Sequence, residues 1–331
     1  GSDEYRVFVA DTDNLRGNEL RGALIDKLYS AGVRVVAVPD GAAAGVLLDN
    51  YLQTGNTGSL DSYLSVLPAD RRDSARTLWE HVRTRYPGVF HAAGLGADAR
   101  SATVGKALTV LANASYNTPE TEIAEAVQVM RSGTTSNAVY WFKTAMAKYP
   151  RQMERFFGSS YAAVSRLYYA MQGTLNVADD SELPTYDAKQ LLKTYKKDGI
   201  LIFTDEASAL MTEGSMASEL QAQLDKQKYG EDEDPQRVCA IGAVYGTWSN
   251  AGSFTPDDTE TAWDADSLTE YLGSDALRGK DMLLALDGED SPYLTENCLL
   301  KDTDTPVAEQ VQKLFVLDKN NMASPESGES E

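Results

Sequence analysis

The spacing of apolar residues constrains this chain most. One short strand-helix-strand unit opens it, and from there to about residue 197 nearly every apolar run recurs at the interval of an amphipathic helix. Tyr5-Arg6-Val7-Phe8-Val9-Ala10 and Val33-Arg34-Val35-Val36-Ala37-Val38 are rich in β-branched residues, the second ending in the turn Pro39-Asp40-Gly41. Leu20, Leu24, Ile25 and Leu28 make a helical stripe between them. Residues 44–52, 60–67, 71–85 and 101–114 then read as helices punctuated by Gly, Pro, Asn or Ser. Thr118-Pro119-Glu120-Thr121-Glu122 has the residues of a helix start, with Thr118 placed to accept a free backbone N–H. Further helices are predicted over 137–149, 151–171 and 186–197. Ile200 to Phe203 is a short apolar run, Asp205 and Glu206 read as the cap of the next helix, and Val238 to Tyr245 as a buried strand. Helical turns are expected around 268–272 and 307–317. The pattern predicts a mainly α fold with an acidic α+β C-terminal region, divided at about 1–115, 116–230 and 231–323, with a flexible tail over 324–331.

Composition removes several function classes. No run of eighteen or more apolar residues occurs and the N-terminus has no signal-like segment, so neither a membrane span nor a secretory leader is expected. Two cysteines, Cys239 and Cys298, and two histidines, His81 and His91, are too few for a disulfide framework or a zinc ligand set. No cofactor is expected.

The net charge of −20 is unevenly spread. Residues 70–200 hold 17 Lys/Arg against 13 Asp/Glu, whereas residues 201–331 hold 8 against 28. A basic body joined to an acidic arm suits a protein that meets a polyanion. Arg71, Arg72, Arg76, Arg83 and Arg85 crowd one segment, and Lys143, Lys148, Arg151 and Arg155 the next. Lys189 and Lys193 begin a stripe that Lys196 and Lys197 continue on one helix face. Interleaved aromatics such as Tyr149 and Tyr161 are placed to stack bases. These residues are the expected contacts to single-stranded RNA.

A competing enzyme reading starts from Asp11-Thr12-Asp13-Asn14, directly after the first strand, where carboxylates can hold Mg²⁺ near a phosphate. The motif resembles the first motif of haloacid-dehalogenase-type phosphatases and the strand-end acid of NYN- and PIN-type nucleases. Other motifs fall short. Val104-Gly105-Lys106 lacks the glycine and Ser/Thr of a phosphate loop, and Gly94-Leu95-Gly96 is no dinucleotide fingerprint. Neither histidine has a nucleophile elbow nearby. The acidic pairs of the last third complete no EF-hand.

Residues 119–203 resemble the C-terminal half of the ordered core in nucleoproteins of negative-strand RNA viruses. The likeness rests on an acid-led helix from Glu120 to Arg131, the aromatic Tyr140-Trp141-Phe142, Tyr149-Pro150, Gly158-Ser159-Ser160-Tyr161, and Lys197-Asp198-Gly199-Ile200. It implies a two-lobed helical core that clamps RNA between lobes 1–115 and 116–230 and self-associates along the strand, in the cytoplasm or a virion nucleocapsid. The leading expectation is therefore a non-enzymatic, viral RNA-packaging protein of the nucleoprotein or capsid kind. The alternatives are a Mg²⁺-dependent phosphatase or nuclease using Asp11 and Asp13, and an acidic structural or interaction protein with no nucleic-acid role.

Overall fold

A computed structural model describes residues 5–12, 17–97, 101–133, 135–172, 182–227, 235–248, 254–256, 263–264, 267, 282–288, 291–295, 299–300 and 305–318. The chain forms two compact units, one of residues 18–203 and one of residues 1–17 with 204–331.

In the unit 18–203, strands β2 (Val33–Val38), β3 (His91–Gly94) and β4 (Gly199–Thr204, its last residue counted with the other unit) run parallel, with β2 in the middle. Val35 pairs with His91 on one edge and Ile200 on the other. A parallel strand with neighbours on both edges is apolar throughout, and Val33, Val35, Val36, Ala37 and Val38 are fully buried. Arg34 is the exception. Its guanidinium turns out to the Tyr29 carbonyl at 2.8 Å and lies over the Tyr29 ring.

Among the described residues β3 has a sheet neighbour on one side only, so its outer backbone groups need other partners. Helix α2 (Ala42–Thr54) supplies them at intervals of four residues. Asp49 accepts the Ala92 N–H at 2.9 Å and the Gln53 amide donates to the Phe90 carbonyl at 2.7 Å. One turn earlier Gly45 lies against β3 so closely that a Cβ there would sit 1.9 Å from the Gly94 nitrogen.

Between β3 and β4 come α5 (Ser101–Ala114), α6 (Thr121–Ser132), α7 (Thr135–Lys148), α8 (Pro150–Phe157), α9 (Tyr161–Gln172) and α10 (Leu183–Thr194). Their apolar stripes pack on one another through Leu108, Ile123, Met130, Phe142, Phe156 and Leu167, all buried. Helix α6 starts after Glu120, which makes no side-chain cap, so the cap expected from Thr118 lies two residues too early.

In the other unit, β1 (Tyr5–Asp11) is parallel to β5 (Arg237–Trp248), and β5 to β8 (Lys313–Asp318). Strand β7 (Met282–Ala285) runs antiparallel to β8, and β6 (Phe254–Pro256) pairs with the end of β5. Asp205 caps α11 (Glu206–Ala209) and Ser215 caps α12 (Met216–Asp225), each accepting the backbone N–H three residues on. Leu210, Val244, Trp263, Leu286, Val311 and Leu314 form this unit's buried core. Trp263 crosses β5 at Gly242, where a Cβ would meet the indole at 2.4 Å.

Both units are therefore α/β, and the mainly α, two-lobed expectation is overturned. Periodicity cannot separate a short buried strand from a turn of buried helix, and that ambiguity decided the error. His91-Ala92-Ala93-Gly94 has no β-branched residue and becomes a strand by pairing with β2. Residues 313–318, expected as helical turns, are strand β8, while the helix there covers only Val307–Gln310. The start of the third predicted region, residues 231–234, the turns expected over 268–272 and the tail over 324–331 lie outside the described residues. Among the described residues no helix is long and apolar enough to cross a membrane.

Candidate active site

Ligands in parallel α/β sheets bind beyond the carboxyl ends of the strands. Strand β2 leads there into Pro39-Asp40-Gly41, and Gly41, Gly45 and Gly94 bring the surrounding backbone together. Gly41 has φ of 92°, a region costly for side-chain-bearing residues. Its N–H donates to the Leu95 carbonyl at 3.0 Å, and the Leu95 N–H donates to the Val38 carbonyl at 2.9 Å. A Cβ on Gly94 would lie 1.7 Å from the Gly41 oxygen. The ends of β2 and β3 and the first turn of α2 thus meet backbone to backbone, holding Asp40 in one place.

The Asp40 side chain accepts a hydrogen bond from the Tyr63 hydroxyl at 2.8 Å. Tyr63 belongs to α3 (Thr57–Leu64) and is buried edge-on against Trp79 of α4 (Arg72–Arg85). Burial pushes the phenol well above its ordinary range, so it stays a donor. Burial also raises the pKa of Asp40, while the Tyr63 bond and the charges of Arg21 and Arg71 pull it back. Arg21, on α1 (Gly17–Tyr29), is held with its guanidinium over the Phe203 ring at 5.1 Å. The result is a partly exposed carboxyl group shifted towards its protonated form beside two guanidinium charges. Such a group holds a proton more readily than an ordinary carboxylate and can pass it on, with cations at hand for developing negative charge.

The residues expected to hold RNA lie on or beside α4, α7, α8, α9 and α10. Arg71 sits in the turn before α4, and its charge acts on Asp40. Arg72 gives its guanidinium to the Leu67 and Ser65 carbonyls, at 3.1 and 3.4 Å. Arg76 pairs with Asp61 at 2.6 Å, Arg85 with Asp26 at 3.0 Å, and Arg83 lies against Gly55. Arg155 is held by both Glu120 oxygens at 2.6 and 3.0 Å. Lys143 and Lys148 lie on α7, Arg151 on α8, and Lys189 and Lys193 on α10, with Lys193 turned to Gln190 at 3.4 Å. Tyr149 precedes α8 and Tyr161 opens α9, both partly buried. Arg76, Arg85 and Arg155 are thus neutralised by carboxylates that sequence spacing did not reveal.

Of the acids singled out for metal chemistry, Asp11 is buried at the carboxyl end of β1, and Asp13 lies outside the described residues. The next N–H, of Thr12, donates to the Thr204 carbonyl at 3.0 Å. Among the described residues no three His, Cys, Asp or Glu side chains converge on a metal position. His81 is bonded to Asp26 and His91 to Asp49. The Cys239 thiol is buried and pushed up to about 12, which makes it inert at neutral pH. Cys298 lies outside the described residues. Sequence reasoning read Asp40 as part of a turn. The available signal was an acid two residues beyond a strand whose one polar member is Arg34.

The sequence matches no described family and no curated protein. Its fold does have solved counterparts. A Bacillus cereus protein is similar over 96% of this chain and 89% of its own, with a TM-score of 0.58 and 13% identity. An erythromycin esterase mutant in an open conformation is similar over 95% and 91%, at 0.53 and 13%. A succinoglycan biosynthesis protein is similar over 96% and 88%, also at 0.53 and 13%. Identity at that level carries the fold alone. That α/β fold overturns the nucleoprotein resemblance and, with it, the viral RNA-packaging function and the capsid and nucleocapsid assignments. The expectation of a non-enzyme falls as well, since an esterase is built on the same fold.

Proposed function

We propose that the protein is an ester hydrolase in which Asp40 moves the proton and Arg21 and Arg71 offset the negative charge. The observation that carries this reading is the raised pKa of a partly exposed carboxyl group at the carboxyl end of a parallel strand. In the reaction, the Asp40 carboxylate takes a proton from water as its oxygen bonds to the ester carbonyl carbon. The guanidinium charges offset the oxyanion so formed. Asp40 then returns the proton to the departing alkoxide as the carbon–oxygen bond breaks, leaving acid and alcohol. The similarity to an esterase supports the class of reaction through the fold.

The test compares the parent with Asp40→Asn on p-nitrophenyl acetate and p-nitrophenyl butyrate. Asparagine still offers an oxygen to Tyr63, so folding is retained while proton transfer is lost. Loss of about 10²–10⁴ in kcat is expected, the usual worth of general acid–base catalysis. Because the carboxylate form is active, the rate of the parent rises with pH through the raised pKa of Asp40. Arg71→Gln removes a charge that lowers this pKa, so the rise moves to higher pH. Equal turnover by the parent and Asp40→Asn refutes the assignment.

The burial of Asp11 at the end of β1 favours a second reading, Mg²⁺-dependent phosphoester hydrolysis through Asp11 and Asp13. Turnover of p-nitrophenyl phosphate that needs Mg²⁺ and is lost in Asp11→Asn, with Asp40→Asn unimpaired, replaces the first reading with this one.

A further inference from the structure

Among the described residues two acids hold the outer edge of β3, and one of them reaches the turn that carries Asp40. Asp49 of α2 accepts the Ala92 N–H, and four residues further on Asp187 of α10 accepts the Gly96 N–H at 2.9 Å. An extended chain repeats every two residues, so both N–H groups point away from β2. Leu95, between them, points the other way. Its N–H donates to the Val38 carbonyl and its own carbonyl accepts from the Gly41 N–H. Leu95 and Gly96 are therefore one step of chain, fastened on one side to the Pro39-Asp40-Gly41 turn and on the other to Asp187. Helix α10 begins against this step, with the Pro184 ring 3.6 Å from where a Gly96 Cβ would lie. All of these residues belong to the unit 18–203.

Asp187 is completely buried. A carboxylate in such a place needs an opposite charge, and Arg166 of α9 supplies it. The Arg166 guanidinium is buried as well. Burial draws its pKa down, and the charge of Asp187 is the first of the interactions that hold it up. Among the described residues its Nε and Nη1 make no hydrogen bond. A buried ion pair with unmet donors adds little to stability compared with apolar residues of the same size, so its work lies elsewhere. An ionised carboxylate only accepts, and it holds a backbone N–H more firmly than a neutral acceptor does.

We propose that Asp187 is a positioning residue for hydrolysis at Asp40: through Gly96 and Leu95 it fastens the Gly41 turn and so sets how deeply the Asp40 carboxyl is buried, with Arg166 as its counter-ion. The role in hydrolysis rests on the reading of Asp40 given above, whereas the fastening of the turn does not. The charges that act on Asp40 are those of Arg21 and Arg71, not that of Asp187. A changed Asp40 titration in an Asp187 variant therefore reports geometry.

Two double variants of the full chain separate the hydrogen bond from the buried charges. Arg166→Met with Asp187→Leu removes both charges and the acceptor, and such an exchange of a buried ion pair for apolar residues is often neutral or stabilising, so the fold is kept. Arg166→Gln with Asp187→Asn removes both charges but leaves an oxygen for the Gly96 N–H. In the first, Asp40 loses burial, so its pKa, read by NMR at the carboxyl carbon, moves down towards the ordinary carboxylate range. The Gly41 amide exchanges about tenfold faster. On p-nitrophenyl acetate kcat falls about 10²-fold, the cost of misplacing a reacting group by roughly 1 Å. The second keeps the titration and exchange of the parent. An Asp40 titration in the first that matches the parent overturns the proposal, as a merely structural role for Asp187 would leave it there. So does a second variant that shifts as far as the first. In the parent the Gly96 amide is expected to be protected from exchange like that of Gly41, and a freely exchanging Gly96 amide overturns the proposal without any variant. Titration and exchange need no turnover: if Asp40→Asn hydrolyses as the parent does, the hydrolase reading falls while these measurements still decide the positioning.

Discussion

Gly45 lies inside α2, where helix propensity alone predicts that alanine stabilises by about 1 kcal/mol. The structure reverses the sign. A Cβ at Gly45 falls 1.9 Å from the Gly94 nitrogen and 2.6 Å from the Ala93 carbonyl carbon, both backbone atoms, where ordinary contact begins at 3.4 Å. The helix must withdraw by about 1.5 Å, the difference of those distances. Withdrawal opens the bonds from Ala92 to Asp49 and from Gln53 to Phe90, at about 1 kcal/mol each. Strain from overpacking adds about 1–3 kcal/mol. Set against the propensity gain, Gly45→Ala is expected to destabilise by about 2–4 kcal/mol. Gly22→Ala is the control. It is also helix-interior, but its Cβ meets only the flexible Leu78 side-chain tip at 3.4 Å, so it is expected to be neutral or to stabilise by up to about 1 kcal/mol. Urea unfolding followed by circular dichroism gives both values. A Gly45→Ala midpoint at or above that of the parent would falsify the backbone contact between α2 and β3.

Three further outcomes follow from hydrogen bonds and burial. Asp49 raises the pKa of His91, so their bond stabilises the fold below the ordinary histidine range and this contribution fades as pH rises through the pKa of His91. Asp49→Ala is expected to lower the His91 pKa in an NMR titration and to cost about 1–2 kcal/mol at all pH values through the orphaned Ala92 N–H; an unchanged titration refutes the pairing. Burial acts to raise Asp287, but the bonds from Lys313 and Tyr5 outweigh it and hold this carboxyl low. Tyr5→Phe should therefore cost about 1–2 kcal/mol at neutral pH, shrinking as acid protonates Asp287, and a pH-independent loss in thermal melts argues against the contact. Finally, Cys239 in a Cys298→Ser background should not react with a disulfide reagent at pH 8 until urea unfolds the chain, whereas prompt labelling contradicts its burial.

Local pattern was a good guide wherever one stretch of chain settles its own conformation. Val33–Val38 is a strand because four of its six residues are the β-branched valine, and Ser101–Ala114 is a helix at the residues its periodicity marks. It failed where a partner distant in sequence decides. His91–Gly94 has no strand propensity of its own and is extended because Val35–Val38 is beside it. Ion pairs are hidden from a reading along the chain for the same reason. Arg76 and Asp61 are 15 residues apart and Arg155 and Glu120 are 35, so a count of charges along the chain registers a basic region where folding makes ion pairs.

The amino-acid order alone determined most of the helices, the first two strands, the scarcity of histidine and cysteine chemistry, and an acid placed two residues beyond a mostly apolar strand. Only the tertiary structure decided that these elements are α/β and that the acid at position 40 is a candidate catalytic group. Its proton affinity comes from burial, from a phenol 23 residues away and from guanidinium charges on two other segments. Those are interactions through space, strong in a weakly screened interior and invisible to any reading that runs along the chain.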